Sequence, residues 1–382
     1  MIKVLNVNAS LDLKSGGGTA ERTFQMSRFI GRLDAHCTVL TLDIELRDDR
    51  VAAVTPAEVV ALPCVWRRFY VPALKWSVIR RLVSDADVVH LMGHWSVLNA
   101  LVYFAIRFSG KPYVVCPAGA LPLFGRSASF KRMYNLLVGY SIIRNASGWI
   151  AVTESELPQF GAYGVHASQV TVIPNGVCEE DFFVANEMNL PRQYGWPEGP
   201  LILFMGRLNS IKGPDLLLEA FISVCKQLPG YQLVFAGPDG GMLSDLRALV
   251  KMHGVGEFVH FVGHVEGEEK AALYRNAALL VVPSRQEAMS IVALEAGICG
   301  TAVLLTDQCG FSNIRSVDPR LEVAANAVAI AAGLVSLLTE ADVLGQVAPN
   351  WKRFVSQLYA WDVIAPNYLN LYQDVLARQE RP

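Results

Sequence analysis

Three stretches of this 382-residue chain carry residue types at spacings that can do chemistry. The first is Ser15-Gly16-Gly17-Gly18-Thr19-Ala20-Glu21-Arg22. Consecutive glycines let backbone N–H groups approach an anion, and the helix that follows adds a favourable dipole. The spacing is not that of a dinucleotide fingerprint, so a plain tight turn is the competing reading. The second is Gly206-Arg207-Leu208-Asn209-Ser210-Ile211-Lys212-Gly213-Pro214-Asp215. Two fixed cations, Arg207 and Lys212, can neutralise a diphosphate leaving group without a metal. The plainer alternative is a solvated Lys212 and an Arg207 paired with a surface acid.

The third stretch runs from Ser284 to Gly297 and holds Glu287 and Glu295. Glu295 sits among Ile291, Val292, Ala293, Leu294 and Ala296, where a carboxylate needs a partner. Sugar hydroxyls would serve, since a carboxylate accepts two such bonds at once. So would a salt bridge inside the domain. The N–H groups of Met289, Ser290 and Ile291, at the start of a helix, are candidates to hold a phosphate.

These residues must be positioned by strands and helices in alternation, the pattern of parallel α/β domains. In the first half, strands are predicted at Ile2–Val7, Cys37–Leu42, Val88–Leu91, Tyr113–Cys116, Trp149–Val152 and Val170–Ile173. Helices are predicted at Thr19–Leu33, Val97–Phe108, Phe130–Arg144 and Glu154–Phe160. Asn175 to Pro200, rich in turn residues, reads as a linker. The pattern restarts with strands Leu201–Met205, Gln232–Ala236, Phe258–Val262, Leu279–Val282 and Ala302–Leu305. The helices between them are about Pro214–Leu228, Met242–His253, Glu268–Asn276 and Ser290–Ile298. Two doubly wound domains follow, residues 1–180 and 181–360, with a final helix at 361–382. A cleft is expected between the carboxyl ends of the two sheets.

Composition sets the outer bounds. Hydrophobic residues make up 52% of the chain and charged residues 18%, which excludes a disordered protein. The net charge of -2 gives no support for nucleic acid as a partner. The histidines show no zinc spacing, so no metal is expected. The start of the chain lacks a signal peptide's apolar core, and seven cysteines without a C-x-x-C pair suit a reducing compartment, so the expected location is the cytoplasm. Charge is uneven along the chain. From Val59 to Thr153 the only acids are Asp85 and Asp87. Within that span, Trp66-Arg67-Arg68-Phe69-Tyr70, Phe124-Gly125-Arg126 and Phe130-Lys131-Arg132 mix basic and aromatic residues. That mixture leaves open a peripheral contact with the anionic inner face of a membrane, or direct binding of an anionic acceptor.

The motifs, in their order, resemble those of the retaining, nucleotide-sugar-dependent glycosyltransferases of family four, which have the GT-B fold. The resemblance runs through G-R-x4-K-G at 206–213 and E-x7-E at 287–295. It includes Val172-Ile173-Pro174-Asn175-Gly176-Val177, Phe261-Val262-Gly263-His264-Val265, and Trp361-Asp362 leading to Tyr368 and Tyr372. It implies two Rossmann-like domains facing across a cleft, with the last helix crossing back to the first. It also implies that Arg207 and Lys212 contact the donor diphosphate, Glu287 the sugar hydroxyls and Glu295 the ribose. Gly16 and Gly17 would close over the phosphates, and the backbone at Val265 would meet the base. The implied reaction retains the anomeric configuration and needs no metal or other cofactor, the nucleotide sugar being a substrate. The implied acceptor is a hydroxyl of a glycan or a lipid-linked molecule, as in cell-envelope polysaccharide or lipopolysaccharide synthesis. Where the family often places histidines, this chain has Met92 and Ala118, which makes His94 the candidate catalytic histidine. Two other readings stand beside this one: a nucleotide-sugar epimerase of the same fold, and a non-catalytic nucleotide-sugar-binding partner of another transferase.

Overall fold

The computed structural model describes residues 1–123, 128–185, 188–340 and 342–379. The predicted basic-aromatic segment Phe124-Gly125-Arg126 lies outside the described residues. Two compact units are present, Met1–Gly176 with Trp361–Pro382, and Val177–Ala360. The first unit therefore closes at Gly176 rather than at 180. Val177 already belongs to the second, donating its N–H to the Tyr359 carbonyl at 2.8 Å.

In the first unit a parallel sheet is built from β1 (Ile2–Val7), β2 (Ala35–Leu42), β3 (Glu58–Leu62), β6 (Val88–Met92), β7 (Tyr113–Cys116), β8 (Gly148–Ala151) and β9 (Val170–Val172). Between β3 and β6 lies a small antiparallel hairpin, β4 (Cys64–Trp66) and β5 (Val71–Pro72). The sheet order is β3-β2-β1-β6-β7-β8-β9. The second unit repeats the plan with β10 (Leu201–Met205), β11 (Gln232–Ala236), β12 (Val259–Gly263), β13 (Ala277–Val282), β14 (Ala302–Thr306) and β15 (Glu322–Val323), in the order β12-β11-β10-β13-β14-β15. Strands such as β6, β10 and β14 are buried throughout. Helices cover both faces of a parallel sheet, so these strands read as unbroken apolar runs rather than alternating ones. In each unit the strand order reverses direction beside the first strand, which opens a crevice at the carboxyl ends.

β3, β15 and the helices Trp76–Asp85, Ala327–Leu338 and Val343–Leu358 add to the elements expected from sequence. The expected linker is itself structured: it contains the helix Leu190–Tyr194, capped by the Asn189 side chain on Arg192 N–H at 2.8 Å. The expected helix Phe130–Arg144 is a run of α-helix (Ala128–Tyr134), π-helix (Asn135–Gly139) and α-helix (Tyr140–Arg144). The widened turn brings the Asn135 amide to His94, and Gly139 leaves the room. A Cβ at Gly139 would sit 2.3 Å from Asn135 Oδ1.

The helix Trp361–Gln379 completes the first unit. Trp361, Tyr368 and Tyr372 are buried, and Trp361 stacks on Phe29 with ring centroids 6.2 Å apart. Arg22, fully buried, ties three segments together. It donates to Asn175 Oδ1 and to the Ile173 carbonyl, both at 2.7 Å, and its guanidinium lies 5.6 Å from the Tyr368 ring centre. The Ile173-Pro174-Asn175 stretch thus serves as a cradle for a buried cation. Gly176 then passes the Trp361 ring so closely that a Cβ would lie 2.8 Å from it.

His90 on β6 shares a hydrogen bond with the Tyr372 hydroxyl through Nδ1 at 2.7 Å. Burial, helped by the charge of Arg22, pushes its imidazole down from 6.5 to about 3. The unfolded chain therefore takes up this proton first, and the stability contribution is complete above pH 6.5 and lost as pH falls toward 3. Between pH 7 and 5.5 the His90 site should cost about 1 kcal/mol of unfolding free energy. Urea denaturation of the wild type and of His90→Asn at the two pH values measures this, and the variant should lose less stability between them because its His90 share is gone while that of the buried His94 remains.

Candidate active site

In the second unit the loops that follow β10 and β13 meet at the reversal point. The first loop begins at Gly206 and ends at Gly213, which precedes the helix Pro214–Val224. Asn209 shapes it, its side-chain and main-chain oxygens both accepting from Lys212 N–H, at 3.0 and 3.1 Å. The second loop, from Pro283 to Ser290, precedes the helix Ile291–Ile298. Arg285 joins the two by donating its N–H to the Ile211 carbonyl at 2.7 Å and by a bidentate pair with Asp215 at 2.9 and 2.5 Å. Burial alone would raise the Asp215 carboxyl, but the Arg285 hydrogen bonds and charge hold it below the usual range.

Glycine sets the closeness of these loops. Gly213 adopts φ 67°, and a Cβ there would lie 2.1 Å from the Pro283 carbonyl oxygen. Behind the second loop, Gly310 at φ 76° leaves only 1.9 Å between a Cβ and the Ala288 carbonyl oxygen. The segment before it is stitched to the loop: Glu287 N–H donates to the Gln308 carbonyl at 2.9 Å, and Ser290 N–H to the Cys309 carbonyl at 3.0 Å.

This frame brings Lys212 and Glu287 together. Lys212 Nζ lies 2.7 Å from Glu287 Oε1, which also accepts from Ser284 Oγ at 2.5 Å. Glu287 is nearly buried at 7% side-chain exposure, while Lys212 keeps 35%. Arg207 is exposed on the same loop, beside Gly240, where a Cβ would crowd its side chain at 2.9 Å.

Glu295 lies inside the helix behind the loop and is paired within the unit. Its Oε1 accepts from Lys270 Nζ at 2.7 Å and its Oε2 from the Tyr274 hydroxyl at 2.6 Å. Burial, followed by the charge and hydrogen bond of Glu295, pushes the Tyr274 phenol well above its ordinary range. Met289 and Ser290 are buried and Ile291 half-buried. One expectation is corrected here. The Ser290 N–H is engaged by the Cys309 carbonyl and is not open to a phosphate, because the Gly310 turn presses that strand-end segment against the loop. Val265 is buried two residues beyond β12.

The first unit holds the other expected residues by itself. Gly16 and Gly17 follow β1, and Gly17, at φ 56° and ψ -142°, breaks the helix Leu13–Gly31. A Cβ at Gly16, just before the kink, would sit 2.5 Å from Ala20 Cβ, so that position is closed to any side chain. His94 follows β6. It is buried, with Nε2 bonded to Asn135 Oδ1 at 2.9 Å and the rings of Trp95, Tyr134 and Tyr163 set edge-on around it. Burial pushes it down to about 4, so it is neutral at physiological pH, and its Nδ1 has no hydrogen-bond partner among the described residues.

Sequence reasoning passed over Lys270, Tyr274, Ser284 and the Asp215–Arg285 pair. A signal existed for two of them. Lys270 and Tyr274 are four apart on one helix face, the spacing at which a cation and a hydroxyl can reach one carboxylate. Nothing in the sequence marks Gly310.

Comparison with known proteins fits this geometry. Residues 187–349 match the family model of glycosyl transferases group 1, and residues 17–176 that of the glycosyl transferase 4-like domain. The chain belongs to the family-four glycosyltransferases. It is 29% identical over 227 residues to the D-inositol 3-phosphate glycosyltransferase of Acidothermus cellulolyticus, covering 57% of this chain and 50% of that one. The corresponding enzyme of Actinosynnema mirum is 34% identical over 246 residues, covering 58% of each. The chain thus spans about half the length of these curated relatives. Among solved structures it is similar to the sucrose-phosphate synthase of Thermosynechococcus elongatus, with a TM-score of 0.75 and 22% identity over 99% of this chain and 100% of that one. Anabaena HepE, crystallised with UDP and glucose, gives 0.77 and 16% over 98% and 100%. These likenesses establish the GT-B fold.

The Gly310 contact makes a prediction. Gly310→Ala should displace the Ala288 backbone and loosen the Glu287 loop, lowering stability by about 1–3 kcal/mol. A thermal melt checks it, and an unchanged melting temperature contradicts the close packing described.

Proposed function

We propose that this chain is a retaining glycosyltransferase that moves a sugar from a nucleotide diphosphate donor to a hydroxyl of a glycan or lipid-linked acceptor, in the synthesis of cell-envelope polysaccharide or lipopolysaccharide. The Lys212–Glu287 pair at the strand reversal is the observation that carries this reading. A carboxylate that orients sugar hydroxyls and an ammonium that meets phosphate are the two groups a nucleotide sugar needs, and here they are adjacent. The crystallised complex of the similarly folded HepE with UDP and glucose supports a donor of this chemical class.

Lys212 and Glu287 satisfy each other at rest. A bound donor would exchange that single contact for two: phosphate oxygens on Lys212 and Arg207, and hydroxyls on Glu287. In the reaction, the bond from the anomeric carbon to the β-phosphate oxygen breaks as the acceptor oxygen bonds to the same face of that carbon. The acceptor proton passes to the departing phosphate. Lys212 and Arg207 would stabilise the charge that develops on the leaving group, and the reading needs no metal. Glu295 would meet the ribose with the remaining acceptor capacity of its two oxygens. The main chain at Val265 would meet the base, and Gly16 and Gly17 would offer the first unit's main-chain contact to an anion. His94, neutral and held by Asn135, would act as a positioning residue rather than as a proton carrier.

The test is a thermal-shift panel of UDP-, GDP-, TDP- and ADP-sugars, with and without EDTA. One donor at 100-fold its dissociation constant should add about 2.7 kcal/mol, unaffected by EDTA. Lys212→Ala should lower turnover about 10²- to 10³-fold with the fold intact. Full activity in a folded Lys212→Ala protein overturns the leaving-group role.

A further inference from the structure

The first unit presents a surface that the donor chemistry leaves unused. Along the helical run from Ala128 to Arg144, Asn135, Val138, Ile142 and Ile143 face inward and are buried. Phe130, Met133, Leu136, Leu137 and Tyr140 recur at three- and four-residue steps on the opposite face and are exposed. Leu136 and Leu137 are 81% and 72% exposed, where a soluble surface normally carries polar side chains. The tip of the β4–β5 hairpin extends this face. Trp66 packs edge-on against Phe69 at 4.7 Å, and Phe69 lies 6.1 Å from Phe130. Arg67, Arg68 and Arg132 are exposed around these rings. The acids of this part of the chain, Asp85 and Asp87, stand at the amino end of β6, where Asp87 Oδ2 accepts from Lys3 N–H at 2.8 Å. The hairpin leaves from the carboxyl end of β3, away from them.

The geometry points to docking of this face on an anionic lipid bilayer, with Leu136, Leu137, Phe130 and Trp66 entering the headgroup layer and the arginines meeting lipid phosphates. Charge selects this occupant. In a two-fold dimer through the same patch, Arg67, Arg68 and Arg132 would face their own copies, the nearest hairpin acid, Asp43, being held at the base of β4 by the Cys64 N–H at 2.8 Å. Anionic headgroups complement both the apolar stripe and its basic rim. Among the described residues no single helix is long and apolar enough to cross a membrane, so the contact is peripheral. The same helix turns Asn135 inward to His94 and to the Tyr163 hydroxyl at 2.9 Å, which places a docked surface one residue away from the His94 pocket. This inference stands whether or not the donor assignment holds.

Flotation of the full chain with vesicles of phosphatidylcholine, alone or with 30% phosphatidylglycerol, tests it. Binding is expected to the anionic vesicles and to weaken at high salt. Leu136→Ser with Leu137→Ser should reduce it by about tenfold or more, and Arg67→Glu with Arg68→Glu should remove the salt-sensitive part. All four positions are exposed, and matching thermal melts confirm intact folding. No binding to either vesicle overturns the proposal. So does binding that neither variant alters, or a dimer that the leucine variant dissociates while vesicles stay unbound.

Discussion

Backbone passing backbone with no space between, where strands end in the second unit, is the constraint on which the candidate site depends. Gly213 against Pro283, Gly310 against Ala288 and Gly237 against the Gly206 carbonyl are approaches that no side chain permits. They bring the loops after β10, β11, β13 and β14 within hydrogen-bonding reach of one another. Only then can a lysine from the first loop touch a carboxylate from the second. The ion pair is thus a product of main-chain packing, and its chemistry is borrowed from the turn geometry of residues that have none.

The first unit solves a different problem with a buried charge. A fully enclosed guanidinium is costly unless every donor is used and the surroundings are polarisable. Arg22 offsets most of that cost with a carbonyl, an amide and an aromatic face drawn from two distant parts of the chain, its Nε alone lacking a hydrogen-bond partner among the described residues. Its environment pushes its own basicity up, chiefly through Tyr368 once burial is set against it. Removing any one partner would leave a charge stranded, so the segments are held as a set rather than pairwise.

Much of this was legible in the sequence, for identifiable reasons. Central strands such as Leu201–Met205 and Gln232–Ala236 matched residue for residue, because strands buried on both faces are unbroken apolar runs between turns. The edge strand Glu58–Leu62, half exposed, carries a weaker pattern and escaped. Arg207, Lys212 and Glu287 were legible from their places on strand-to-helix loops. The partners of Glu295 were not, since Lys270 and Tyr274 come from another crossover. The Ser290 amide could not be read either, because whether an N–H is free depends on what packs beside it. Likewise the π-turn at Asn135 exists to satisfy a histidine some forty residues away, and local propensity carries no trace of it.

The return of Trp361–Gln379 to the first unit has a bearing on how the protein comes into being. Synthesis runs from the amino end, so the second unit is complete while the first still lacks its last helix. Until that helix emerges, the hydroxyl partner of His90 and the aromatic neighbour of Arg22 are missing, and the apolar surface that Trp361 covers at Phe29 lies open to water. The unit that begins first is therefore the one whose last element is synthesised last. A chain that has emerged only as far as residue 360 would carry a complete second unit tethered to a first unit still missing its last helix, a state with apolar surface for a chaperone to hold.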